Sequence, residues 1–432
     1  MTKSAISFGE ALRFWLKLGL ISFGGPAGQI AIMHQELVER RRWISEKRFL
    51  HALNYCMVLP GPEAQQLATY IGWLMHRTWG GVVAGGLFVL PSLFILIALS
   101  YVYMTYGNVP AVAGLLYGIK PAVVAVVLAA AWRIGSRALR HGALWAISVA
   151  AFVAIYAFDV PFPAIVIAAG FIGAAGGRYF PQVFAIGGHG TAKATYGPAV
   201  IDDDTPTPSH ARFTALRLAI VLGVGLALWL AALLLVRGWD GTLADMASFF
   251  TKAALLTFGG AYAVLPYVYQ AAVEQYQWLT AAQMIDGLAL GETTPGPLIM
   301  VVAFVGFVGA WTQNIFGSDA AFIAGVAGAS VATFFTFLPS FVFILVGGPL
   351  VESTHGDLRF TAPLSGITAA VVGVIVSLAA FFAQHVFFTG GVDWLAIALA
   401  AAALVALVRY KIGLIPVIAA AGAFGMLWKL AT

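Results

Sequence analysis

Charged residues are scarce in this chain of 432 residues: they make up only 9%, whereas 61% of the residues are hydrophobic and the mean hydropathy is +0.91. Soluble domains carry roughly 25% charged residues, so the composition excludes a water-soluble protein. One membrane crossing takes about 20 apolar residues, which leaves room for a dozen or so. The composition therefore predicts an all-α, polytopic protein of the lipid bilayer. Its pI of about 9.3 reflects basic loops rather than a nucleic-acid partner.

Reactive and metal-binding residue types are also scarce. The single cysteine, Cys56, excludes an internal disulfide and a cysteine-based metal cluster. The histidines are scattered, and the sequence contains neither a His-Glu-x-x-His motif nor a Gly-x4-Gly-Lys-Ser/Thr phosphate loop. We therefore expect no metal, no cofactor and no ATPase activity. We also expect no cleavable signal peptide before the first apolar segment.

Glycine is abundant instead, and it marks an internal repeat. Phe23-Gly24-Gly25 recurs as Phe258-Gly259-Gly260, and Pro60-Gly61-Pro62 recurs as Pro295-Gly296-Pro297, in both cases 235 positions later. Leu90-Pro91-Ser92 recurs 248 positions later as Leu338-Pro339-Ser340, which implies an insertion of 13 residues around 314–327. The sequence thus predicts two copies of one unit. The predicted domains are residues 1–177, a connecting region at 178–240 and a second repeat at 241–432.

The connecting region begins with a polar stretch, residues 178–211. It holds Pro198, Pro206, Pro208 and the run Asp202-Asp203-Asp204, and we interpret it as a flexible cytoplasmic linker. A metal or phosphate site at the three aspartates is the alternative. The apolar run 216–236 that follows is long enough to cross the bilayer once.

Basic residues indicate opposite orientations for the two copies. Residues 39–48 include five Lys or Arg side chains, whereas the aligned residues of the second copy include none. Lys and Arg mark cytoplasmic loops, so the matching segments are expected on opposite sides of the membrane. This is an inverted-topology repeat, as in many secondary transporters, with a cytoplasmic N-terminus.

Two long apolar segments in each copy are interrupted by glycine and proline. Residues 5–38 break at Phe23-Gly24-Gly25-Pro26, and residues 49–76 break at Pro60-Gly61-Pro62. Each can form a re-entrant hairpin of two half-helices; a tilted full crossing is the alternative. With four crossings added to each copy and one connecting helix, the total is thirteen hydrophobic segments. The four crossings of the first copy are predicted at 80–104, 111–132, 142–157 and 161–177.

Each break is expected to bring a helix N-terminus into the membrane interior. Pro26, Pro62 and Pro297 suit the start of a helix, where no N–H bond is needed. Free N–H groups and a partial charge of about +0.5 at such an end attract anions. The candidate substrate-binding residues of the first copy are Lys17, Phe23, Gly24, Gly25, Asn54, Pro60, Gly61, Pro62, Gln65 and Gln66. Those of the second copy are Lys252, Phe258, Gly259, Gly260, Thr294, Pro295, Gly296 and Pro297.

Several of these residues also have a structural interpretation. Lys17 and Lys252 occupy matching positions inside apolar stretches, where a buried cation suggests a site, but both could reach the nearer interface. Asn54 and the other polar candidates could bond a ligand or satisfy the broken backbone. Glu63 and Glu292 are candidate coupling or gating groups, although a helix N-terminus alone would also favour Glu63. Asp286 could mark the membrane surface. The Leu-Pro-Ser motifs fit helix kinks, with a site role as the alternative.

These motifs resemble the chromate ion transporter family in its long, two-domain form. The resemblance is carried by Phe23-Gly24-Gly25-Pro26, Arg40-Arg41-Arg42-Trp43, Leu59-Pro60-Gly61-Pro62 followed by Gln65 and Gln66, and Phe88-Val89-Leu90-Pro91-Ser92. It implies an inner-membrane protein that exports chromate and gives resistance, with sulfate as the similar oxyanion. The second copy departs from the pattern with Ala261 for Pro26 and Thr294 for Leu59, which leaves open whether both halves bind substrate.

Energetics favour export. Moving one charge across 100 mV is worth about 2.3 kcal/mol, so a dianion leaving a negative interior gains about 4.6 kcal/mol. An importer of sulfate or a related oxyanion is one alternative. An intramembrane lipid-phosphate enzyme is another, but no nucleophile or metal cluster supports it. Gly81 and Gly85, like Gly114 and Gly118, have the small-xxx-small spacing that packs helices within one chain or in a homodimer.

Overall fold

The computed structural model describes residues 6–23, 25–184, 196–206, 208–258, 260–353 and 361–432. Within these ranges the regular structure is helical, and the β interaction found is an isolated bridge between Ile44 and Ile201. Seven of the described helices are long and apolar enough to cross a membrane, and three shorter apolar helices accompany them. The predicted all-α, polytopic membrane protein is confirmed.

The helices repeat in order in the two halves of the chain. The described helices of the first half are α1 (Phe8–Ile21), α2 (Gly25–His34), α3 (Glu46–Val58), α4 (Glu63–Tyr106), α5 (Pro110–Ala138), α6 (Gly142–Phe158), α7 (Phe162–Tyr179) and the short α8 (Pro181–Phe184). Helix α9 (Ala215–Trp239) connects the halves. The second half contains α10 (Gly241–Leu255), α11 (Ala261–Tyr269), α12 (Ala281–Thr293), α13 (Val301–Thr312), α14 (Ala321–Ser353), α15 (Thr361–Phe387), α16 (Trp394–Val408) and α17 (Leu414–Ala431).

The repeat also extends to irregular elements. A π-helical turn follows α2 at Gln35–Arg40, and another follows α11 at Gln270–Gln275. The helices break before Gly25 and Glu63 and at the matching places in the second half. The predicted insertion lies in the connector after α13, which includes a 3-10 turn at Ser318–Ala320. The two halves thus share local geometry as well as sequence motifs.

Helix α4 folds back on itself. His76 and Arg77 have non-helical backbone angles, and Arg77 has a φ of 58°. The two parts of α4 then pack antiparallel through Gly72 and Gly80, since a Cβ on Gly72 would lie 2.5 Å from the Gly80 carbonyl oxygen. In the second half, α13 and α14 pack closely in the same way at Gly306 and Gly328.

Both broken segments of the first half return to the side on which they begin. Ser45, just before α3, bonds Asp203 at 2.6 Å, and His210 lies 3.0 Å from the carbonyl oxygen of Trp73, at the end of the returning helix. One short segment therefore contacts both ends of the α3–α4 hairpin. Around the first break, Glu10 of α1 pairs with Arg41, which follows α2, at 3.5 Å. This geometry is the re-entrant arrangement rather than the tilted crossing.

The long helices α4 and α14 define two ends of the molecule. Tyr101 of α4 contacts Trp311 and Phe322, with ring centroids 6.2 and 5.2 Å away. We call this the distal end. Near the other end of α14, Glu352 accepts a hydrogen bond from Tyr70 of α4, and residues 196–206 and 208–211 pack nearby. We call this the linker end.

The described part of the polar linker is docked rather than free. The N–H of Ile201 donates to the Trp43 carbonyl at 3.0 Å, and the N–H of Ser45 donates to the Ile201 carbonyl at the same distance. Ile201 and Ala211 are buried. The flexible-linker interpretation is therefore wrong for this part, because backbone hydrogen bonds and apolar burial hold it on the basic segment. Residues 185–195 and Thr207 lie outside the described residues.

Two pairs of small residues pack helices within the chain. A Cβ on Gly81 would lie 3.0 Å from the Thr69 carbonyl oxygen, and one on Gly114 would lie 2.9 Å from the Gly425 carbonyl oxygen. Gly118 is likewise pressed against Ala421 of α17. These glycines are used in intramolecular packing, so their spacing carries no argument for a homodimer.

Candidate functional site

The glycine turns of the two halves are joined by crossed hydrogen bonds. The N–H of Gly61 donates to the carbonyl of Thr257 at 2.7 Å, and the N–H of Gly296 donates to the carbonyl of Ser22 at 2.7 Å. Ser22 and Thr257 precede the two Phe-Gly-Gly motifs at matching positions. Each half therefore provides the hydrogen-bond acceptor for the glycine turn of the other half. These bonds bring the predicted motifs together.

The local backbone explains why glycine stands at both turns. Gly61 and Gly296 have φ values of 125° and 105°, which side-chain-bearing residues rarely adopt. There is also no room for a Cβ, since Ser340 and Gln66 face Gly61 and Ser92 faces Gly296. Gly25 and Gly260 also have positive φ, at 72° and 97°. Gly24 and Gly259 lie outside the described residues.

The serines of the Leu-Pro-Ser motifs belong to the same site. The Ser92 hydroxyl donates to the carbonyl of Pro295, and the Gln66 amide donates to the Ser340 hydroxyl at 3.5 Å. Gln66 also donates to the Pro60 carbonyl at 2.8 Å. The kink interpretation is therefore incomplete, because each serine reaches the glycine turn of the other half.

Gln29 is a site residue that the sequence reasoning missed. Its amide nitrogen donates to the Gly296 carbonyl at 2.5 Å and lies 3.3 Å from the Ser22 carbonyl oxygen. Its counterpart in the second half is Val264, so the comparison of the repeats gave no signal. A buried glutamine in an apolar segment, just after a break, was the signal available.

Four buried polar atoms at the crossing have no hydrogen-bond partner in the described structure. They are Ser22 Oγ, Gln29 Oε1, Gln65 Oε1 and Gln66 Oε1, and all four residues are fully buried. An unpaired buried polar atom costs about 1–3 kcal/mol. A bound polar ligand would offset this cost.

The unpaired atoms all belong to the first half. The counterparts of Gln65 and Gln66 are Met300 and Val301. Thr257, the counterpart of Ser22, already donates to the Ala253 carbonyl at 2.7 Å. The two halves thus contribute matching backbone turns but unequal polar groups.

The remaining predicted site residues differ in role. Phe23 and Phe258 are half-buried beside the turns, and Pro62 and Pro297 precede helical turns. Thr294 donates to the Gly291 carbonyl at 2.9 Å, so it satisfies the broken backbone. Asn54 is half-buried on α3.

Lys17 and Lys252 do not reach the crossing. Both side chains are exposed on the outer faces of α1 and α10, and no ion pair joins either to a described residue. Neither lysine therefore lines the crossing in this structure. A long aliphatic side chain lets an ammonium group extend to the interface instead.

The two candidate coupling carboxylates have unequal surroundings. Glu292 is buried and accepts a hydrogen bond of 2.6 Å from Tyr262, and the charge of Arg133 acts on it. Glu63 is half-buried at the start of α4 and has no hydrogen bond or ion pair with the described residues. Both flank the turns, at the end of α12 and the start of α4.

Asp286 is not a surface marker. Only 4% of its side chain is exposed, and its Oδ2 lies 3.3 Å from Lys120 Nζ and accepts a 3.0 Å hydrogen bond from Tyr103. Its Oδ1 is buried without a partner in the described structure. The surface interpretation is wrong because α4 and α5 cover this part of α12. Lys120 was missed, since it has no basic counterpart in the second half.

Comparison with protein families identifies a matching family model. A model described as chromate transporter matches residues 9–174 and again residues 244–426. The two matched ranges agree with the two halves of the fold. No solved structure matches the chain significantly.

Curated relatives match over most of the chain. A chromate transport protein of Pseudomonas aeruginosa is 34% identical over 86% of this chain and 80% of its own length. A chromate transport protein of Cupriavidus metallidurans is 27% identical over 87% of this chain and 82% of its own length. A probable chromate transport protein of Synechococcus elongatus is 28% identical over 86% of this chain and 83% of its own length.

Proposed function

Because the chain belongs to the chromate transporter family, and is thus a transporter and not an enzyme, we propose that it exports chromate from the cytoplasm. The observation that carries this proposal is the pair of crossed glycine turns with the unpaired, buried hydroxyl of Ser22 beside them. Helix N-termini and hydroxyl donors suit an oxyanion. Sulfate, which has the same shape, is the proposed competing ligand.

The proposed topology is an inverted repeat in the bacterial inner membrane, with the N-terminus in the cytoplasm. Trp43 lies at the linker end through its bond with Ile201, and Trp278 lies at the distal end, where Thr312 donates to its carbonyl. Helix α5 starts directly after the distal end of α4, so Arg133 and Arg137 lie toward the linker end. Basic residues gathered at one end favour a cytoplasmic position for it.

The driving force of the proposed transport is the membrane potential. A dianion that leaves a negative interior gains about 4.6 kcal/mol at 100 mV. Export therefore needs no coupled ion, whereas import would need several protons. Alternating exposure of the crossing to the two sides is the proposed mechanism, with Glu63 and Glu292 as the groups that would couple protons.

Chromate accumulation in cells tests the proposal. Cells that make the protein should hold less labelled chromate than cells with an empty vector, and they should grow at higher chromate concentrations. A Gly61→Leu variant present at equal amount in the membrane is the control. Higher accumulation in the producing cells would refute export and favour the importer of sulfate or a related oxyanion.

A further inference from the structure

Two partly buried charge clusters lie at opposite ends of the crossing and outside the glycine turns. At the linker end, Glu352 accepts a 2.6 Å hydrogen bond from Tyr70, and its Oε2 lies 3.7 Å from Arg48 Nη1. At the distal end, Asp286 pairs with Lys120 at 3.3 Å and with Tyr103 at 3.0 Å. Each cluster thus contains one cation, one carboxylate and one tyrosine.

The clusters occupy related positions in the two halves. Arg48 lies on α3 one turn before His51, which aligns with Asp286 of α12. Glu352 of α14 aligns with the residue after Tyr103 of α4. Both clusters therefore join a re-entrant hairpin of one half to a long helix of the other. The charges are exchanged: the hairpin residue is basic at the linker end and acidic at the distal end.

Both clusters lie within reach of the glycine turns. Arg48 is ten residues before the end of α3, which corresponds to about 15 Å along a helix. Asp286 is seven residues before the end of α12, or about 11 Å. Arg48 and Lys120 thus lie on opposite sides of the crossing, one toward each end of the molecule.

The ion pairs leave bonding capacity unused. Arg48 Nη1 is buried and makes no hydrogen bond, because its carboxylate partner is 3.7 Å away. Asp286 Oδ1 is also buried and unpaired. A guanidinium group binds tetrahedral oxyanions as readily as carboxylates, and a lysine ammonium group binds phosphate-like anions as a point charge. An oxyanion can therefore replace either carboxylate as the partner of the cation.

We propose that Arg48 and Lys120 are inner and outer subsites for the oxyanion, each held closed by the carboxylate that the oxyanion displaces. This inference rests on the proposed function and names two subsites for it. When the oxyanion binds Arg48, Glu352 is released and the contact between α3 and α14 opens. When it reaches Lys120, Asp286 is released and the contact between α12 and α5 opens.

Binding of labelled chromate to the purified protein, measured by equilibrium dialysis, tests the inner subsite. Glu352→Gln should bind more tightly by about tenfold, because Arg48 loses its competitor, and Arg48→Gln should bind more weakly by about tenfold. Glu10→Gln, which removes an exposed ion pair with Arg41 at the same end, should leave affinity unchanged. A merely structural ion pair would shift affinity in the same direction in both variants, and this result would overturn the proposal.

Transport into everted membrane vesicles, which expose the cytoplasmic face, tests the outer subsite. Asp286→Asn should lower the maximal rate about tenfold at unchanged KM, because the freed Lys120 retains the anion. Asp286→Glu should restore the rate. An unchanged maximal rate in Asp286→Asn would overturn the outer assignment. Absence of uptake by wild-type vesicles would refute export itself, whereas the affinity shifts at Arg48 would still decide the inner subsite.

Discussion

The N–H of Gly61 donates a 2.7 Å hydrogen bond to the carbonyl of Thr257 in the other half of the chain. Gly296 and Ser22 repeat this bond with the halves exchanged. Neither glycine N–H is therefore paired within its own repeat. Since an unpaired backbone group inside a membrane is costly, the two halves depend on each other at the point where we place the oxyanion.

The glycine turns should not tolerate a side chain. Gly61→Ala and Gly296→Ala are each expected to lower the free energy of unfolding by about 1–3 kcal/mol through backbone strain, and to abolish most chromate transport. Thermal unfolding in detergent and vesicle uptake measure the two effects. Gly223→Ala is the matched control, because a Cβ at this residue of α9 meets open space. Transport at the wild-type rate by both variants would show that the glycine turns are not part of the transport site.

Ser92 should matter because it reaches the turn of the other half. Ser92→Ala leaves the Pro295 carbonyl without its hydroxyl donor and is expected to cost about 1–3 kcal/mol of unfolding free energy. Ser330→Ala on α14 is the control, since its exposed hydroxyl bonds only the Val326 carbonyl of its own helix. The thermal unfolding of the two variants and the wild type, measured at equal detergent concentration, tests this prediction. Equal stability of the two variants would contradict the role of Ser92.

The exposed lysines should be dispensable for binding. Lys17→Ala and Lys252→Ala are each expected to transport chromate within about twofold of the wild type, since a residue at the interface contributes little to a buried site. Initial rates are to be normalised to the amount of protein in the membrane. A large loss of affinity for chromate in either variant would show that the substituted lysine does contribute to the binding site.

Glu63 and Glu292 should differ in their effect on pH dependence. If Glu63 carries the coupling proton, Glu63→Gln will flatten the dependence of transport rate on pH. Glu292→Gln will mainly weaken stability, since the 2.6 Å hydrogen bond from Tyr262 then goes to a neutral amide oxygen instead of a carboxylate. The transport rate, measured as a function of pH in vesicles held at one membrane potential, distinguishes the effects of the two variants. Profiles identical to the wild type in both variants would make both carboxylates structural.

The docked linker should loosen in acid. Burial against Trp73, together with the charges of Arg77 and Arg217, holds the pKa of His210 below its ordinary value of 6.5. The docked state therefore binds a proton less readily than the undocked state, so docking weakens as the pH falls below about 6.5. Limited proteolysis of residues 196–206 at neutral and mildly acidic pH measures this. The His210→Gln variant should lose the pH dependence, and a cleavage rate independent of pH in the wild type would refute the prediction.

The sequence alone was sufficient for the membrane class, the two copies and the positions of the breaks. These features follow from local properties: apolar length fixes what the bilayer accepts, and glycine with proline fixes where a helix is interrupted. The helix ends at Val58 and Thr293, and the π-helical turns at matching places, agree with the repeat. The family resemblance rested on the same motifs.

Only the tertiary structure decided which residues meet at the crossing. Lys17 and Lys252 share an apolar context with the motifs, yet the rotation of α1 and α10 turns them outward. Gln29, Lys120 and Ser92 contact the other half of the chain, and such contacts depend on helix packing across more than 150 residues. A local pattern cannot report which face of a helix meets a distant neighbour, because in a membrane both faces are apolar.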